Sequence, residues 1–521
     1  MTRRVSTLLR LTVWSVLLLV LTFWLHTRNN DFPYYYHTDE PGKVEQMLSK
    51  RPLNFHHPLL MLDAARTFAR PGQTMQQGVE IGRDLSAAFT SVAVVALSLM
   101  AYLWRGEIMM FAVGLALATH HQLFELSHYF KEDTAMLFGV GLTFLALHFF
   151  DRFPGLRTAA AVGLAIGLAI SGKVAGALVL VPAIAVIVSR RAIASQDPEV
   201  LPSRHALRRR GGVALVVAMV IPMAVTVLLI NLQLVESWGA ASASLSREQN
   251  LVVSGQGMAQ KVPHSKYWNV FLANTTPVMW VLILAALWGA WARRRQMRTV
   301  EWATILFPFL VAIVLSFLPK DNDRYFLPAT ALFTVLAAFG AGEIRHVLPP
   351  ALRQREFATE AVAALLIVLA QFPGWTEDRG GLLRYWTAFQ QDDNAELVAW
   401  LQQNLPPNTV IAKDEKVRLP QGLPFKVLSE DYVADLAPKG SSGVDDFTKV
   451  ASYVIVTDNT FGRFDRPDYT PKGKDKEIED YLRRKTFYAS LRGENTPIRD
   501  WRRGTVIYLH PGLEIYHLTP P

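Results

Sequence analysis

Long apolar runs dominate the first 373 residues and constrain this chain more than any other feature. A bilayer core needs roughly 20 apolar residues per helix, and helices or closed barrels are the structures that satisfy every backbone hydrogen bond in lipid. We therefore expect a mainly α, polytopic membrane protein with about eleven transmembrane helices. The predicted spans are 6–26, 84–104, 107–124, 134–150, 158–171, 174–189, 212–232, 277–292, 300–318, 326–342 and 357–373.

The charged residues favour a membrane topology over a nucleic-acid surface. Only 19% of residues are charged, against about 25% in an ordinary soluble domain, and the net charge of +9 comes largely from arginines between apolar runs. With a cytoplasmic N-terminus, the inner connections hold more Lys and Arg than the longer outer ones, as the positive-inside rule requires. This places the loop 27–83 and the C-terminal segment outside. A bacterial inner membrane is the preferred location, because the outer segments contain no cysteine.

The last part of the chain, 374–521, reads as a small soluble α/β domain, so we divide the protein into 1–373 and 374–521. Strands are predicted at 409–414, 451–458, 505–510 and 513–518, with a charged helix at 474–484. No glycine-rich phosphate loop or metal-ligand spacing occurs there, which favours a docking or lid domain. The absence of cysteine from the whole chain excludes a disulfide framework and a thiol nucleophile.

Ionisable residues collect at the outer ends of the predicted spans. A charge at bilayer depth costs about 2.5 to 3.5 kcal/mol, so each one needs a partner or a function. The candidates are Asp39 and Glu40 in His37-Thr38-Asp39-Glu40-Pro41, His57 before Pro58, Arg83, Lys131, Glu132, Asp133, Lys173, Arg324 and Tyr325.

Each candidate also has a structural interpretation. Asp39 could cap a helix that begins near Pro41, and the acids after Lys131 could favour a helix start through its dipole. His121, Glu125 and His128 share a helical face and could bind a metal. A hydrogen-bonded cluster is the favoured reading of these three, because buried histidines commonly join helices.

Taken together, the first-loop Asp-Glu pair, the His-Pro motif, Arg83 followed by Ser86, the second-loop acids and the later Arg-Tyr-x-x-Pro resemble the GT-C membrane glycosyltransferases. The likeness is greatest to the protein O-mannosyltransferase and aminoarabinose transferase superfamily. It implies a cavity facing the extracytoplasmic side and a sugar donor linked to polyprenyl phosphate.

The resemblance also implies roles for individual residues. Asp39 matches the family's general base, with Glu40 as its companion, and Asp133, or else Glu132, matches the second-loop acid. Residues predicted to hold the donor or shape its site are Arg83, Lys131, Arg324, His57, Lys173 and Tyr325. The chain departs from the family in reading His56-His57-Pro58-Leu59 where many members have His-Pro-Pro.

The resulting prediction is a one-step, inverting sugar transfer to a protein, lipid or glycan acceptor, with no nucleic-acid partner. No cofactor is firmly predicted, although an acidic pair could bind a divalent cation. A transporter or flippase is the main alternative and would need polar residues along a path through the bilayer. A membrane-anchored binding protein is a third reading, whereas a metalloprotease is disfavoured because no HExxH motif occurs.

Overall fold

A computed structural model describes most of the chain. The residues outside the description are 1, 54, 194–202, 255–259, 262–263, 320–321, 345–355, 372–373, 377–378, 381, 439–443, 467–469, 472–474, 503–505, 507 and 519–521. Parts of two predicted inner connections and the predicted domain boundary at 373 lie in these gaps.

The first part of the chain is helical. Its helices are α1 (Thr2–His26), α2 (Glu40–Met47), α3 (Leu60–Arg66), α4 (Met75–Arg105), α5 (Glu107–Ala118), α6 (His121–Ser127), α7 (Glu132–Arg152), α8 (Leu156–Gly172), α9 (Leu180–Ile193), α10 (Ser203–Ile230), α11 (Leu232–Glu236), α12 (Trp238–Gln249), α13 (Lys266–Asn274), α14 (Pro277–Ala292), α15 (Thr299–Ser316) and α16 (Leu327–Ile344), followed by Glu356–Gln371. Short 3-10 helices lie at Val174–Val179 and Asp323–Phe326, and a π-helical turn lies at Asn250–Ser254.

The predicted count of about eleven spans is not confirmed. Among the described residues, six helices are long and apolar enough to cross a bilayer, and α13 with α14 makes a seventh if this pair, bent by 107°, is one span. Four further apolar helices are shorter. The span predicted at 107–124 is wrong as one helix, because α5 ends at Ala118 and the ring of His120 accepts a hydrogen bond from the Gln122 amide to start α6.

Helices α4, α7 and α16 run between two charged ends of the bundle. At one end Glu343 pairs with Arg105 and Arg293, and Asp151 pairs with Arg298 at 2.7 Å. The other end carries the first loop and the C-terminal part of the chain. Between these ends the buried core is mainly apolar, and its buried polar groups are chiefly hydroxyls such as those of Ser98, Thr143 and Thr334.

The C-terminal part folds around a five-stranded sheet. Small strands β1 (Gln260–Lys261), β2 (Gly374–Thr376), β3 (Arg379–Gly380) and β7 (Thr470–Pro471) pair separately, whereas the sheet contains β4 (Val410–Asp414), β5 (Lys426–Glu430), β6 (Tyr453–Thr457), β8 (Arg499–Trp501) and β9 (Leu513–His517). The strand order is β5-β4-β6-β9-β8, with β4 parallel to β5 and β6, and β9 antiparallel to β6 and β8.

The helices of this part are Leu382–Ala388, Asp393–Asn404, Val444–Phe447, Asp458–Phe461 and Asp475–Glu494, with a 3-10 helix at Val433–Leu436. The strand predicted at 505–510 is wrong for its described residues, which form bends and turns before β9. The charged helix predicted at 474–484 extends to Glu494, because its second half buries Phe487, Tyr488 and Leu491.

Candidate active site

Close helix packing brings the second outer loop to the end of the bundle. A Cβ at Gly82 would lie 2.2 Å from the ring of Phe130, so the start of α4 can approach the loop before α7 only with glycine there. A Cβ at Gly172 would lie 2.5 Å from the backbone nitrogen of Met136. The last turn of α8 thus lies against the first turn of α7, and the next residue, Lys173, comes beside Asp133.

Arg83 and Glu40 form a fully buried pair that fixes the first loop to α4. The Arg83 guanidinium donates to both Glu40 oxygens, at 3.1 and 2.6 Å, and to the carbonyls of Asn30 and Phe32, each at 2.6 Å. Glu40 also accepts from the Phe130 amide at 2.8 Å. Because these groups already bond one another, the geometry favours a structural role over the predicted phosphate contact for Arg83 and the predicted catalytic role for Glu40.

Asp39 lies at the N-cap position of α2, yet its side chain makes no capping hydrogen bond. One carboxylate oxygen instead pairs with the ammonium of Lys131, and the other accepts from the Thr38 hydroxyl at 3.3 Å. The Asp39 side chain is 50% exposed, whereas that of Lys131 is 3% exposed. The capping interpretation therefore lacks its defining contact, and Asp39 is accessible to a ligand.

The remaining charges complete a cluster at the same end. The Lys43 ammonium lies 2.6 Å from Glu132, and the Lys173 ammonium lies 2.6 Å from Asp133 and 4.1 Å from the ring centre of Tyr325. Tyr325 is buried and was predicted to bind substrate; here it packs under this ammonium.

Arg324 is held only loosely in this cluster. Its Nε lies 3.6 Å from Asp133, too far for a hydrogen bond, and is buried without a hydrogen-bond partner. Its side chain is 20% exposed. Arg324 therefore differs from Arg83 in having an N–H group that is left to donate a hydrogen bond to a ligand.

Electrostatics keep Asp39 ionised. Burial alone would raise its pKa, but the ammonium groups of Lys131 and Lys43 outweigh burial and hold that pKa below its usual range. Burial and the nearby cations Arg324 and Lys43 lower the pKa of Lys131 to about 7.

His57 lies among the charges of Lys43, Glu132, Asp133 and Lys173. Burial is the main influence that lowers its pKa to about 4. His57 is therefore neutral near pH 7 and does not add a cation to the cluster.

Sequence reasoning missed three residues of the site. Lys43 lies four residues after Asp39, a spacing that puts both on one face of α2 and was a usable signal. The His37 ring accepts a hydrogen bond from the Asp39 amide at 3.0 Å. Its centre lies 4.1 Å from the ring centre of Tyr508, at a tilt of 37°, and Tyr508 belongs to the C-terminal part. No local sequence pattern indicated that Tyr508 belongs to the site, because the segment 505–510 around it was predicted to be a strand.

Of the set His121, Glu125 and His128, the ring of His128 is buried and bonded to the backbone. Both ring nitrogens of His128 contact backbone carbonyls, of Phe124 at 2.6 Å and Arg28 at 2.8 Å. Burial and Asp323 raise the pKa of Glu125 to about 8, which makes it a weak cation ligand at neutral pH. Within the described residues, no three His, Asp or Glu side chains converge to hold a metal ion.

Comparison with solved structures confirms, at the level of the fold, the predicted resemblance to the GT-C membrane glycosyltransferases. The crystal structure of ArnT from Cupriavidus metallidurans bound to undecaprenyl phosphate matches with a TM-score of 0.50 and 14% identity, covering 87% of this chain and 95% of ArnT. No protein-family model and no curated protein matches the sequence.

Two other solved structures are similar at lower scores. The Archaeoglobus fulgidus oligosaccharyltransferase in its apo form matches with a TM-score of 0.47 and 12% identity, over 94% of this chain and 79% of that one. The S. cerevisiae protein O-mannosyltransferase Pmt1-Pmt2 complex bound to the sugar donor matches with a TM-score of 0.37 and 14% identity, over 49% and 36%. The fold assignment rests on ArnT.

Proposed function

We propose that the protein is an integral membrane glycosyltransferase that moves a sugar from a polyprenyl-phosphate donor to an acceptor on the extracytoplasmic face. The observation that carries this proposal is the placement of Arg324, with its unsatisfied Nε, in one electrostatic cluster with the Asp39–Lys131 pair. The GT-C fold supports it, as does the undecaprenyl phosphate bound by the similar ArnT.

The charge balance of the cluster suits an anionic donor. Four cations, from Lys43, Lys131, Lys173 and Arg324, face three carboxylates, from Asp39, Glu132 and Asp133. The local net charge is therefore +1 when all seven are ionised, and a donor phosphate would offset it. An arginine fork is well matched to phosphate oxygens, and such charge-assisted bonds are short and strong.

The chemistry assigned to Asp39 is general-base catalysis. It takes the proton of the acceptor nucleophile as that atom bonds to the anomeric carbon from the face opposite the phosphate. The bond from the anomeric carbon to the phosphate oxygen breaks, and the leaving polyprenyl phosphate keeps the electron pair. Arg324 and Lys131 stabilise the negative charge that grows there. This single displacement inverts the anomeric centre, and a sugar trapped covalently on Asp39 would contradict it.

Lys131 links donor binding to the basicity of Asp39. While Lys131 pairs with Asp39, that carboxylate is a weak base, because its pKa lies below the usual range. A donor phosphate competes for the same ammonium. Donor binding therefore frees Asp39 to accept a proton when a substrate is in place.

The transporter alternative lacks support along the helices that build the site. Between their charged ends, α4, α7 and α16 contain no Asp, Glu, Lys or Arg. The stretches without such residues are 85–104, 134–150 and 325–342. A translocation path for a polar substrate needs such groups within the membrane.

The direct test of the proposal is donor binding and use by the purified full-length protein. We expect undecaprenyl phosphate to bind in detergent, and an Arg324→Gln variant to bind it at least about tenfold more weakly, because a charge-assisted hydrogen bond contributes about 1.5 to 3 kcal/mol. Arg70→Gln, which removes an exposed arginine of the first loop, is the matched control. Equal binding by the Arg324→Gln variant and the unchanged protein would remove Arg324 from the donor site.

The protonation of Lys131 predicts a pH dependence. Its charge is present below pH 7 and is lost as pH rises through the pKa of about 7, so kcat/KM for the donor should fall above neutrality. Lys131→Arg keeps the cation at all these pH values and should flatten the alkaline fall. If Lys131→Arg showed the same alkaline fall in kcat/KM as the unchanged protein, a group other than Lys131 would be responsible for the fall.

A further inference from the structure

A cleft of about 230 Å³ separates the first loop from the C-terminal sheet domain. Its lining residues are Tyr36, Thr38, Lys416, Arg418, Asn459, Tyr508 and Pro511. One liquid water occupies about 30 Å³, so the cleft has room for a phosphate-sized group and a few neighbouring atoms. The Tyr36 hydroxyl donates to Asp392 at 2.7 Å and so links the first loop to the C-terminal part.

The cleft lies where this sheet topology favours a ligand. Strands β4 and β6 are parallel neighbours; after β4 the chain continues to β5 on one side, and after β6 it continues to β8 and β9 on the other, so it leaves these two carboxyl ends in opposite directions. Open α/β sheets bind ligands in the crevice outside such strand ends. Lys416 and Arg418 follow the end of β4, and Asn459 follows the end of β6.

The charge of the lining is positive. Arg418 has a buried Nη2 without a hydrogen-bond partner, and the Lys416 ammonium donates to the Asn459 carbonyl at 3.1 Å. No acidic side chain is among the described residues that line the cleft, although the exposed Glu415 interacts with both cations electrostatically. A buried, unpaired guanidinium nitrogen is costly, and an anionic ligand would satisfy it.

The cleft also adjoins the candidate base. Thr38 lines it while donating to Asp39, and Tyr508 lines it while interacting electrostatically with both Asp39 and Arg324. Asp39 thus stands between the cationic cluster at the start of α7 and this second basic pocket.

We propose that the cleft is the acceptor subsite, in which Lys416 and Arg418 bind an anionic group, phosphate or carboxylate, of the acceptor and direct its nucleophile toward Asp39. The inference rests on the proposed transferase function and deepens it by naming an anionic acceptor. It also gives the C-terminal domain a part in substrate recognition, beyond the docking or lid role predicted from sequence.

The test measures inorganic phosphate binding by the full-length protein in detergent, with and without saturating undecaprenyl phosphate. We expect phosphate to bind when the lipid is already present, and the double variant Lys416→Gln with Arg418→Gln to weaken that binding at least tenfold. Lys449→Gln, an exposed lysine of the same domain, is the matched control. Acetate in place of phosphate shows which anion the cleft prefers.

The two proposals fail in different ways. Phosphate binding that disappears when undecaprenyl phosphate is added, or that the double variant leaves unchanged, would overturn the acceptor subsite. Failure of undecaprenyl phosphate to bind the unchanged protein would instead count against the donor proposal. It would leave the test of the cleft intact, because that test compares phosphate binding by the double variant and by the unchanged protein.

A second measurement does not depend on the double variant folding. Burial lowers the pKa of Lys416 to about 8, so a fraction of its amine is neutral and reacts with an acylating reagent at pH 8. We expect phosphate to slow acylation of Lys416 severalfold in the unchanged protein and to leave Lys449 unaffected, as read by mass spectrometry. Equal protection of both lysines would contradict the proposal.

Discussion

Asp39→Asn is expected to lower sugar transfer at least about 100-fold without unfolding the protein, because general-base catalysis typically contributes about 10² to 10⁴ in rate. The amide cannot accept the acceptor's proton, but it is nearly the same size and can still contact Lys131 and Thr38. Initial rates of donor consumption by the purified protein give the size of the loss.

The stability of the same variant separates catalysis from helix capping. Loss of a capping carboxylate costs about 1 kcal/mol, but Asp39 makes no capping bond, so we expect the thermal unfolding midpoint to stay nearly unchanged. Asp31→Asn, which alters an exposed acid of the same loop, controls for the loss of a negative charge. Full activity of purified Asp39→Asn would eliminate the base assignment.

Arg83→Met is expected to destabilise the folded protein by about 3 to 5 kcal/mol, because it leaves the Glu40 carboxylate buried without its partner. Unfolding in detergent, followed by circular dichroism or by aggregation on heating, measures the loss. Combining Arg83→Met with Glu40→Gln should recover part of the stability, since the second change removes the unpaired charge.

The same experiment discriminates between the two arginines on which the donor prediction relied. If Arg83 held the donor phosphate, Arg83→Met would weaken undecaprenyl phosphate binding while leaving the unfolding midpoint in place. Arg324→Gln is the comparison: its side chain has no such buried partner network, so we expect a binding defect with little loss of stability.

Much of the site was visible in the sequence because membranes restrict where charges occur. Asp39, Lys131, Asp133, Lys173 and Arg324 stand out as ionisable residues at the ends of apolar runs, and the structure gathers them at one end of the bundle. That signal reports depth along each helix. It does not report which side chain faces which, so the pairing of these residues could not be predicted.

The sequence by itself determined that this chain is a mainly helical membrane protein with a small C-terminal sheet, since apolar run length and strand patterns are local properties. Only the tertiary structure decided that the guanidinium of Arg83 is saturated by hydrogen bonds to Glu40 and the first loop, whereas Nε of Arg324 has no hydrogen-bond partner. It also decided that Tyr508, Lys416 and Arg418 lie beside the first loop. The physical reason is that hydrogen-bond saturation and burial depend on contacts between segments far apart in the sequence, which no local pattern records.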